Sequence, residues 1–290
     1  MQLGFFTMPI HPLDKDWRAS LREDREAFIL AGELGFTEAY CGEHSTDAAE
    51  NITSSAMFLE CIQQVLEIWR SKPPYDIGGK YWNVSTAQTL MPEIGQGVLP
   101  KPLQRPHPPI ITTVVSPHSP SAVQAGEQGW DIISANFLLP QWVKTHWPKY
   151  QEGCATRGHT ADPAHWRVAK SVFVADDAAT ARDYALGAGS PYRFYYSQLL
   201  AKMLKAGRAV IFKPNPNLPD DSVTLDDVCE RLVIHGTPDS VADQIFAFRE
   251  EVGPFGTMLY AGHDWRDPPL ARRSMVLMAE KVLPLVNAAA

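Results

Sequence analysis

Short apolar runs alternate with longer segments of helical period along most of this chain, the pattern of a parallel α/β protein. Leu3 to Ile10 (LGFFTMPI) reads as a first strand, closed by Pro9 and Pro12. LREDREAFILAGELGF then predicts a helix, with Phe28, Ala31 and Leu34 at helical spacing, Glu23 and Asp24 in its first turn and Gly35 as its C-cap. Thr37 to His44 (TEAYCGEH) follows as a second strand, so the chain opens on a strand–helix–strand unit with parallel pairing. Met57, Phe58, Cys61, Ile62, Val65, Leu66 and Trp69 predict a long amphipathic helix. YDIGGKYWNVSTAQTLMP predicts a hairpin turning at Gly78-Gly79, with Tyr81 and Trp82 as packing residues.

The pattern is organised around Lys101 to Trp130. A Pro-rich approach leads into Ile110 to Val115, a β-branched run without alternation, as expected of a strand buried on both faces. SPHSPS (Ser116 to Ser121) comes next, then a short helix ending at Gly129. Strand, Ser-rich turn and helix start suit an anion such as a phosphate. The first helical turn has free N–H groups and the positive end of the dipole, and Ser hydroxyls add donors. The plainer reading is that Ser119 or Ser121 is only an N-cap.

Asp131 to Leu138 predicts another strand, ending at Ser134, Asn136 and Phe137, and the helix after it carries an interruption at Pro148. Trp166 to Asp177 is a strand and AATARDYAL a helix. Gly187 to Asp221 is irregular in composition and holds Tyr192, Phe194, Tyr195 and Tyr196. It reads either as a lid over a pocket or as a peripheral helical excursion. VTLDDVCERLVIHGTPDSVADQI reads as helix, link and a second helix starting at Thr237-Pro238-Asp239. Gly256 to Trp265 is the last strand, ending in His263-Asp264, and ARRSMVLMAEKVLPLV is the closing helix.

Composition narrows the function classes. The 290 residues suit one large α/β domain or two small ones. A net charge of −7 and a pI of about 5.7 argue against a nucleic-acid or anionic-membrane surface. No apolar run approaches the roughly 20 residues of a membrane span, and the N-terminus lacks the basic region of a signal peptide. A cytoplasmic protein without nucleic-acid or membrane partners is expected. Cys41, Cys61, Cys154 and Cys229 show no CxxC spacing and the histidines no HExxH, so no metal site is expected. Cys41 and Cys61 read as reduced core residues. The candidate for chemistry is Glu43-His44 at the end of the second strand, because parallel α/β enzymes place their sites at C-terminal strand ends. An imidazole there can move protons; the plainer reading is a surface His in a loop.

A strand ending in Glu-His, the KPLQRPHPPI approach, the SPHSPSAVQAGEQGW turn and helix, the GTPDSVADQI helix start and the closing GTMLYAGHDW occur in an order that resembles the bacterial-luciferase-like flavin monooxygenases. Within them the chain looks most like the limonene 1,2-monooxygenase and diketocamphane monooxygenase types. The resemblance covers nearly the whole chain. It implies a single TIM (β/α)₈ barrel domain over residues 1–290, with a lid or insertion at about 187–222. It also implies reduced FMN supplied by a separate flavin reductase, O₂ and a small apolar substrate as reactants, and a homodimer. Carried onto this sequence, it implies that His44 is catalytic. It places Phe6, Glu43, Asn51 and Asn136 by the flavin, Ser116, His118, Ser119 and Ser121 around the FMN phosphate, and Val115 among the cofactor-binding residues.

The chain departs from the family in one place. A segment from the second helix to the fourth strand is missing between Ser54-Ser55 and Ala56-Met57, which leaves six predicted strands where the barrel has eight. Because the flanking elements keep family character, the expectation is a longer chain with its middle absent and a spatial break close to Ser55. A true deletion is the alternative. A deazaflavin-dependent oxidoreductase and a non-catalytic flavin-binding degenerate barrel are the competing functions.

Overall fold

The computed structural model describes residues 1–42, 64–79 and 83–288. They form two compact units, Met1–Glu43 with Ile111–Ala290, and His44–Ile110. The chain opens with β1 (Gln2–Thr7), α1 (Trp17–Glu33) and β2 (Ala39–Cys41), and β1 pairs in parallel with β2. The strand–helix–strand expectation holds. However, α1 begins earlier than its charges suggest. Asp16 is its N-cap, accepting from Ala19 N–H at 2.7 Å, so Glu23 and Asp24 fall in mid-helix rather than in the first turn. Its end is as predicted: Gly35 takes φ 77° and Phe36 N–H returns to the Ala31 carbonyl at 3.0 Å. Cys41 is exposed, not a core residue, because among the described residues β2 is an end strand. Glu43, His44, Asn51, Cys61 and the junction at Ser55 lie outside the described residues, as do Tyr81 and Trp82.

In the smaller unit, α2 (residues 64–70) precedes the hairpin of β3 (Asp76–Gly78) and β4 (Asn83–Ser85), which pair in antiparallel fashion as the sequence predicts. Lys101 Nζ donates to the carbonyls of Ile68 and, at 2.6 Å, Ser71, and lies over the ring of buried Tyr75. A cation thus meets the end of α2, where the helix dipole is negative.

The larger unit resumes with β5 (Ile111–Val114), α3 (Pro120–Gln128), β6 (Asp131–Ser134), α4 (Pro140–Val143), α5 (His146–Arg157) and β7 (Trp166–Val174). It continues through α6 (Ala178–Leu186), α7 (Pro191–Lys205), α8 (Leu225–Leu232), β8 (Val233–Gly236), α9 (Pro238–Val252), β9 (Thr257–Gly262), α10 (Pro268–Leu277) and α11 (Leu283–Ala288). The main sheet has seven strands in the order β2-β1-β9-β7-β6-β5, with β8 on the C-terminal half of β7, and every pair is parallel. β8 is the strand the sequence hid. It follows α8 without a Gly or Pro between them, so LVIH read as a link.

The sheet is strongly curled. Arg167 on β7 donates from Nε to Glu38 Oε1 at 2.8 Å and from Nη1 to Asp131 Oδ2 at 2.7 Å. Glu38 leads into β2, three places from β7, and a flat sheet would hold those strands roughly 14 Å apart. Next to this ion cluster, Phe6, Tyr40 and Ile111 join Ile133, Ala169 and Leu259 in one apolar cluster drawn from six strands. Among the described residues no strand links the ends β2 and β5, so the sheet is open rather than a closed eight-stranded barrel. β5 is therefore an edge. Only Val114 of it is buried and Thr113 is exposed, which corrects the reading of a strand covered on both faces.

One further reading shifts, and another is narrowed to one of its two alternatives. The break expected at Pro148 falls earlier, between α4 and α5, and Pro148 sits in the first turn of α5, where its missing N–H has no helical partner to lose. Within the segment 187–221, residues 191–205 form the regular helix α7, as the helical alternative had it, capped by Ser190 Oγ accepting from Tyr192 N–H at 3.1 Å. Helices α3 and α5 pack closely through two glycines. A Cβ at Gly153 would stand 1.9 Å from the Val123 carbonyl oxygen, and one at Gly126 2.4 Å from that of Tyr150. The fold brings the start of α5 beside the turn that follows β5.

Candidate active site

The turn from Ser116 to Ser121 links β5 to α3 at the C-terminal end of the sheet. Ser119 is the N-cap of α3, as the plainer reading had it, accepting from Ser121 N–H at 3.3 Å. Its hydroxyl also shares a 2.8 Å hydrogen bond with that of Ser121. The pair has two hydroxyl protons and uses one between them, which leaves the other for an acceptor. His118 takes φ 49°, a left-handed conformation uncommon for a residue with a Cβ, and its N–H donates to Thr145 Oγ1 at 2.9 Å. The Ser116 carbonyl accepts from His146 Nε2 at 3.0 Å. Val114 is in register with Ser134, so Ser116 and Asn136, each two residues further on, sit at matching levels past adjacent strands.

A second polar group gathers at Ser171 on β7, fully buried. Its Oγ lies 2.9 Å from His263 Nε2 and 2.9 Å from the Tyr196 hydroxyl, and accepts from Asn136 Nδ2 at 3.1 Å. Tyr195 donates to Asn136 Oδ1 at 3.1 Å. The His263 ring lies between Tyr192 and Tyr195, with centroids 4.7 and 4.6 Å away. Burial holds this imidazole down at about 3, against the opposing pull of Asp264, so it is neutral. The residue is part-exposed, and its Nδ1 has no hydrogen-bond partner among the described residues. A neutral ring fixed at Nε2 with Nδ1 open can accept or donate one proton there.

Asp264 fastens the end of β9 from the other side. It accepts from His11 Nδ1 at 2.6 Å and Lys15 Nζ at 2.5 Å, while Lys15 also reaches Glu23 at 2.6 Å. His11 Nε2 meets Asp24 at 3.1 Å, and Trp265 N–H donates to Glu23 at 2.7 Å. Burial opposes charge on His11, but Asp24 and Asp264 outweigh it and raise the ring to about 9. His11, Glu23 and Asp264 are close enough to share a metal ion, but the Lys15 ammonium already bridges the two carboxylates.

The expected cofactor residues that are described fall in three places. Ser116, His118, Ser119 and Ser121 form the turn, with Val115 just before it and 46% exposed. Asn136 is buried, with both amide atoms engaged by Ser171 and Tyr195. Phe6 lies in the neighbouring apolar cluster. Ser171, His263, Thr145 and His146 carried no sequence-derived role. A lone Ser inside the apolar run AKSVFV was the available signal for Ser171, and GHDW at a strand end that for His263.

The "luciferase-like monooxygenase" profile of the bacterial luciferase family matches residues 52–254. The chain belongs to the luciferase-like monooxygenase family. It is 27% identical over 250 residues to 3,6-diketocamphane 1,6-monooxygenase of Pseudomonas putida, a match over 84% of this chain and 64% of that enzyme. It thus spans just under two thirds of that relative. It is 23% identical to limonene 1,2-monooxygenase of Rhodococcus erythropolis over 350 residues, 99% of this chain and 87% of the enzyme. That span exceeds the 290 residues here, so at least sixty aligned positions of the limonene enzyme have no counterpart in this chain. The fold matches the oxygenating constituent of 3,6-diketocamphane monooxygenase from P. putida, solved in complex with FMN. The TM-score is 0.83 at 20% identity, covering 98% of each chain.

Proposed function

We propose that this chain is the oxygenating component of a two-component flavin-dependent monooxygenase. It takes reduced FMN from a separate reductase and transfers oxygen from O₂ to a small apolar substrate, such as a terpenoid or cyclic ketone. The observation that carries the reading is the pairing of two features at one end of a parallel sheet. One is a Ser-rich turn with a spare hydroxyl proton, and the other a neutral His263 held by Ser171. Family membership points the same way, as do diketocamphane and limonene monooxygenases among the relatives. FMN, when bound, supplies the electrons that activate O₂.

The residues present fit such a group. Ser116, Ser119 and Ser121 offer hydroxyls to a phosphate at the head of α3. Asn136, locked by Ser171 and Tyr195, offers a rigid polar backing. The tyrosines of α7 and the Phe6 cluster keep water from the reacting end, and residues 187–222 serve as its cover. His263 holds or moves a proton at Nδ1, and His44 is the second candidate for that task. A cytoplasmic homodimer completes the proposal. Among the described residues no helix is long and apolar enough to cross a membrane.

The deciding experiment supplies the purified chain with photoreduced FMN and ¹⁸O₂, with limonene and camphor-type ketones as substrates. Mass spectrometry then looks for one ¹⁸O atom in the product. Labelled product is expected. Hydrogen peroxide alone would indicate a flavin-binding protein without oxygenase function, and hydride transfer from reduced deazaflavin without O₂ would move the chain to the other enzyme class.

A further inference from the structure

The turn after β5 is gripped from behind by two consecutive residues at the start of α5. His146 is fully buried, and its two ring nitrogens bond in opposite directions. Trp166 Nε1 lies 2.8 Å from Ser134 Oγ, Ser134 Oγ lies 2.8 Å from His146 Nδ1, and His146 Nε2 lies 3.0 Å from the Ser116 carbonyl. The direction of this chain is forced at both ends. An indole N–H can only donate, so Ser134 Oγ accepts from Trp166 and sends its own proton to His146 Nδ1. A carbonyl can only accept, so His146 must carry its proton on Nε2. Both ends demand the same neutral tautomer. Thr145 works in parallel, donating to the Trp142 carbonyl at 2.7 Å and accepting from His118 N–H. That bond holds His118 in its left-handed conformation, which is disfavoured for a residue with a Cβ.

The two backbone groups that flank Pro117 are thereby turned inward, onto α5. Among the described residues, Ser116 Oγ and the His118 ring have no hydrogen-bond partner. They and the Ser119–Ser121 hydroxyl pair remain for a ligand. We infer that Thr145 and His146 are positioning residues for the phosphate end of the flavin, bracing the turn so that its hydroxyls are set before the anion arrives. This rests on the reading above that the turn receives that phosphate. Groups ordered in advance lose less freedom on binding, and the gain falls on the ligand's phosphate, not its ring.

The test compares FMN with riboflavin, which has the same ring and no phosphate. Their dissociation constants are measured by fluorescence quenching for the wild type, Thr145→Val, His146→Leu and His146→Gln, each first checked for a cooperative urea transition. Gln keeps one donor and one acceptor on a planar group. We expect the wild type to prefer FMN, and Thr145→Val and His146→Leu to weaken FMN roughly 10–100-fold while riboflavin stays within about twofold. His146→Gln should recover most of the loss. If His146→Leu does not fold, Thr145→Val decides, because it keeps the side-chain shape and removes the hydroxyl that accepts from His118 N–H and donates to the Trp142 carbonyl. Parallel loss of both ligands in folded variants would overturn the inference, since that is general loosening. A wild type that prefers FMN, with variants that prefer it equally, would overturn the inference alone. A wild type that binds the two alike would remove the phosphate reading as well.

Discussion

Ser171 Oγ and His263 Nε2 lie 2.9 Å apart, tying the middle of β7 to the first residue beyond β9. The same oxygen serves Asn136 and Tyr196, so one hydroxyl satisfies three other polar groups. Ser171→Ala should leave them short of a partner. A buried polar group stranded in this way costs about 1–3 kcal/mol. Guanidinium unfolding should show that loss with the slope unchanged. A loss below about 0.5 kcal/mol, the usual size of a surface substitution, would mean the four groups do not act together.

Arg167 offers a second test at the opposite end of the strands. It lies between Glu38 and Asp131, all three side chains largely shielded. Removing one member of a buried ion cluster leaves uncompensated charge and typically costs about 3–5 kcal/mol. Arg167→Met should lose stability on that scale, and adding Glu38→Gln with Asp131→Asn should restore most of it. If the single variant unfolds at the wild-type midpoint, these ion pairs do not hold the curl of the sheet.

The sequence revealed the period of the fold better than its closure. The β-branched or apolar runs at β1, β5, β6, β7 and β9 stood out because a parallel strand must present apolar residues on both faces over much of its length. β8 did not, since nothing punctuates the step from Leu232 to Val233. The exposure of β5 was not legible either, because a strand's sequence does not say whether it has an outer neighbour, and none is found among the described residues. At the site, the turn and Asn136 stood out through Ser-rich and strand-end chemistry. His146 did not: its importance comes from Trp166 and Ser134, twenty and twelve residues away, which meet it only where the start of α5 folds back on the ends of β6 and β7.

Gly153 shows how strictly that packing is set. A Cβ there would collide with the Val123 backbone, which cannot rotate aside. Gly153→Ala should therefore force α3 and α5 apart. Overpacking of this kind costs roughly 1–3 kcal/mol. Because the strain sits on the same helix, about two turns from Thr145 and His146, the melting temperature and FMN affinity should fall together. A variant as stable as the wild type would show that the helices slide freely.

Three histidines shape the pH dependence of stability. His146 is held down at about 4 and His263 at about 3, both chiefly by burial. Each is neutral when folded but binds a proton near pH 6.5 when unfolded, so their contribution is complete above about pH 6.5 and falls away below it. His11 has the opposite sign. Raised to about 9 by Asp24 and Asp264, it adds stability that is complete below about pH 6.5 and lost as pH rises through 9. Unfolding free energy should therefore peak near pH 6.5–7. His146→Gln should flatten the acid limb and His11→Gln the alkaline one. A profile flat from pH 4.5 to 8.5 would contradict all three assignments.

The last prediction separates the two candidates for proton handling. His44 follows Glu43 past the second strand and lies outside the described residues, while His263 has a fixed Nε2 and an open Nδ1. His263→Phe keeps an aromatic ring between Tyr192 and Tyr195 and removes both nitrogens. His44→Ala removes the other imidazole. A positioned acid or base is worth roughly 10²–10⁴-fold in rate, so the variant lacking the acting group should lose product formation on that scale. It should still bind reduced FMN and consume O₂, with the oxygen released as hydrogen peroxide. Product by gas chromatography and peroxide by a colour assay, with a flavin reductase present, read both outcomes at once. The pH profile adds a check specific to His263. Because its ring stays neutral down to about pH 3, product formation that depends on it should show no break near pH 6.5 from this group. Full product yield from His263→Phe would return that ring to a packing role and leave the proton to His44.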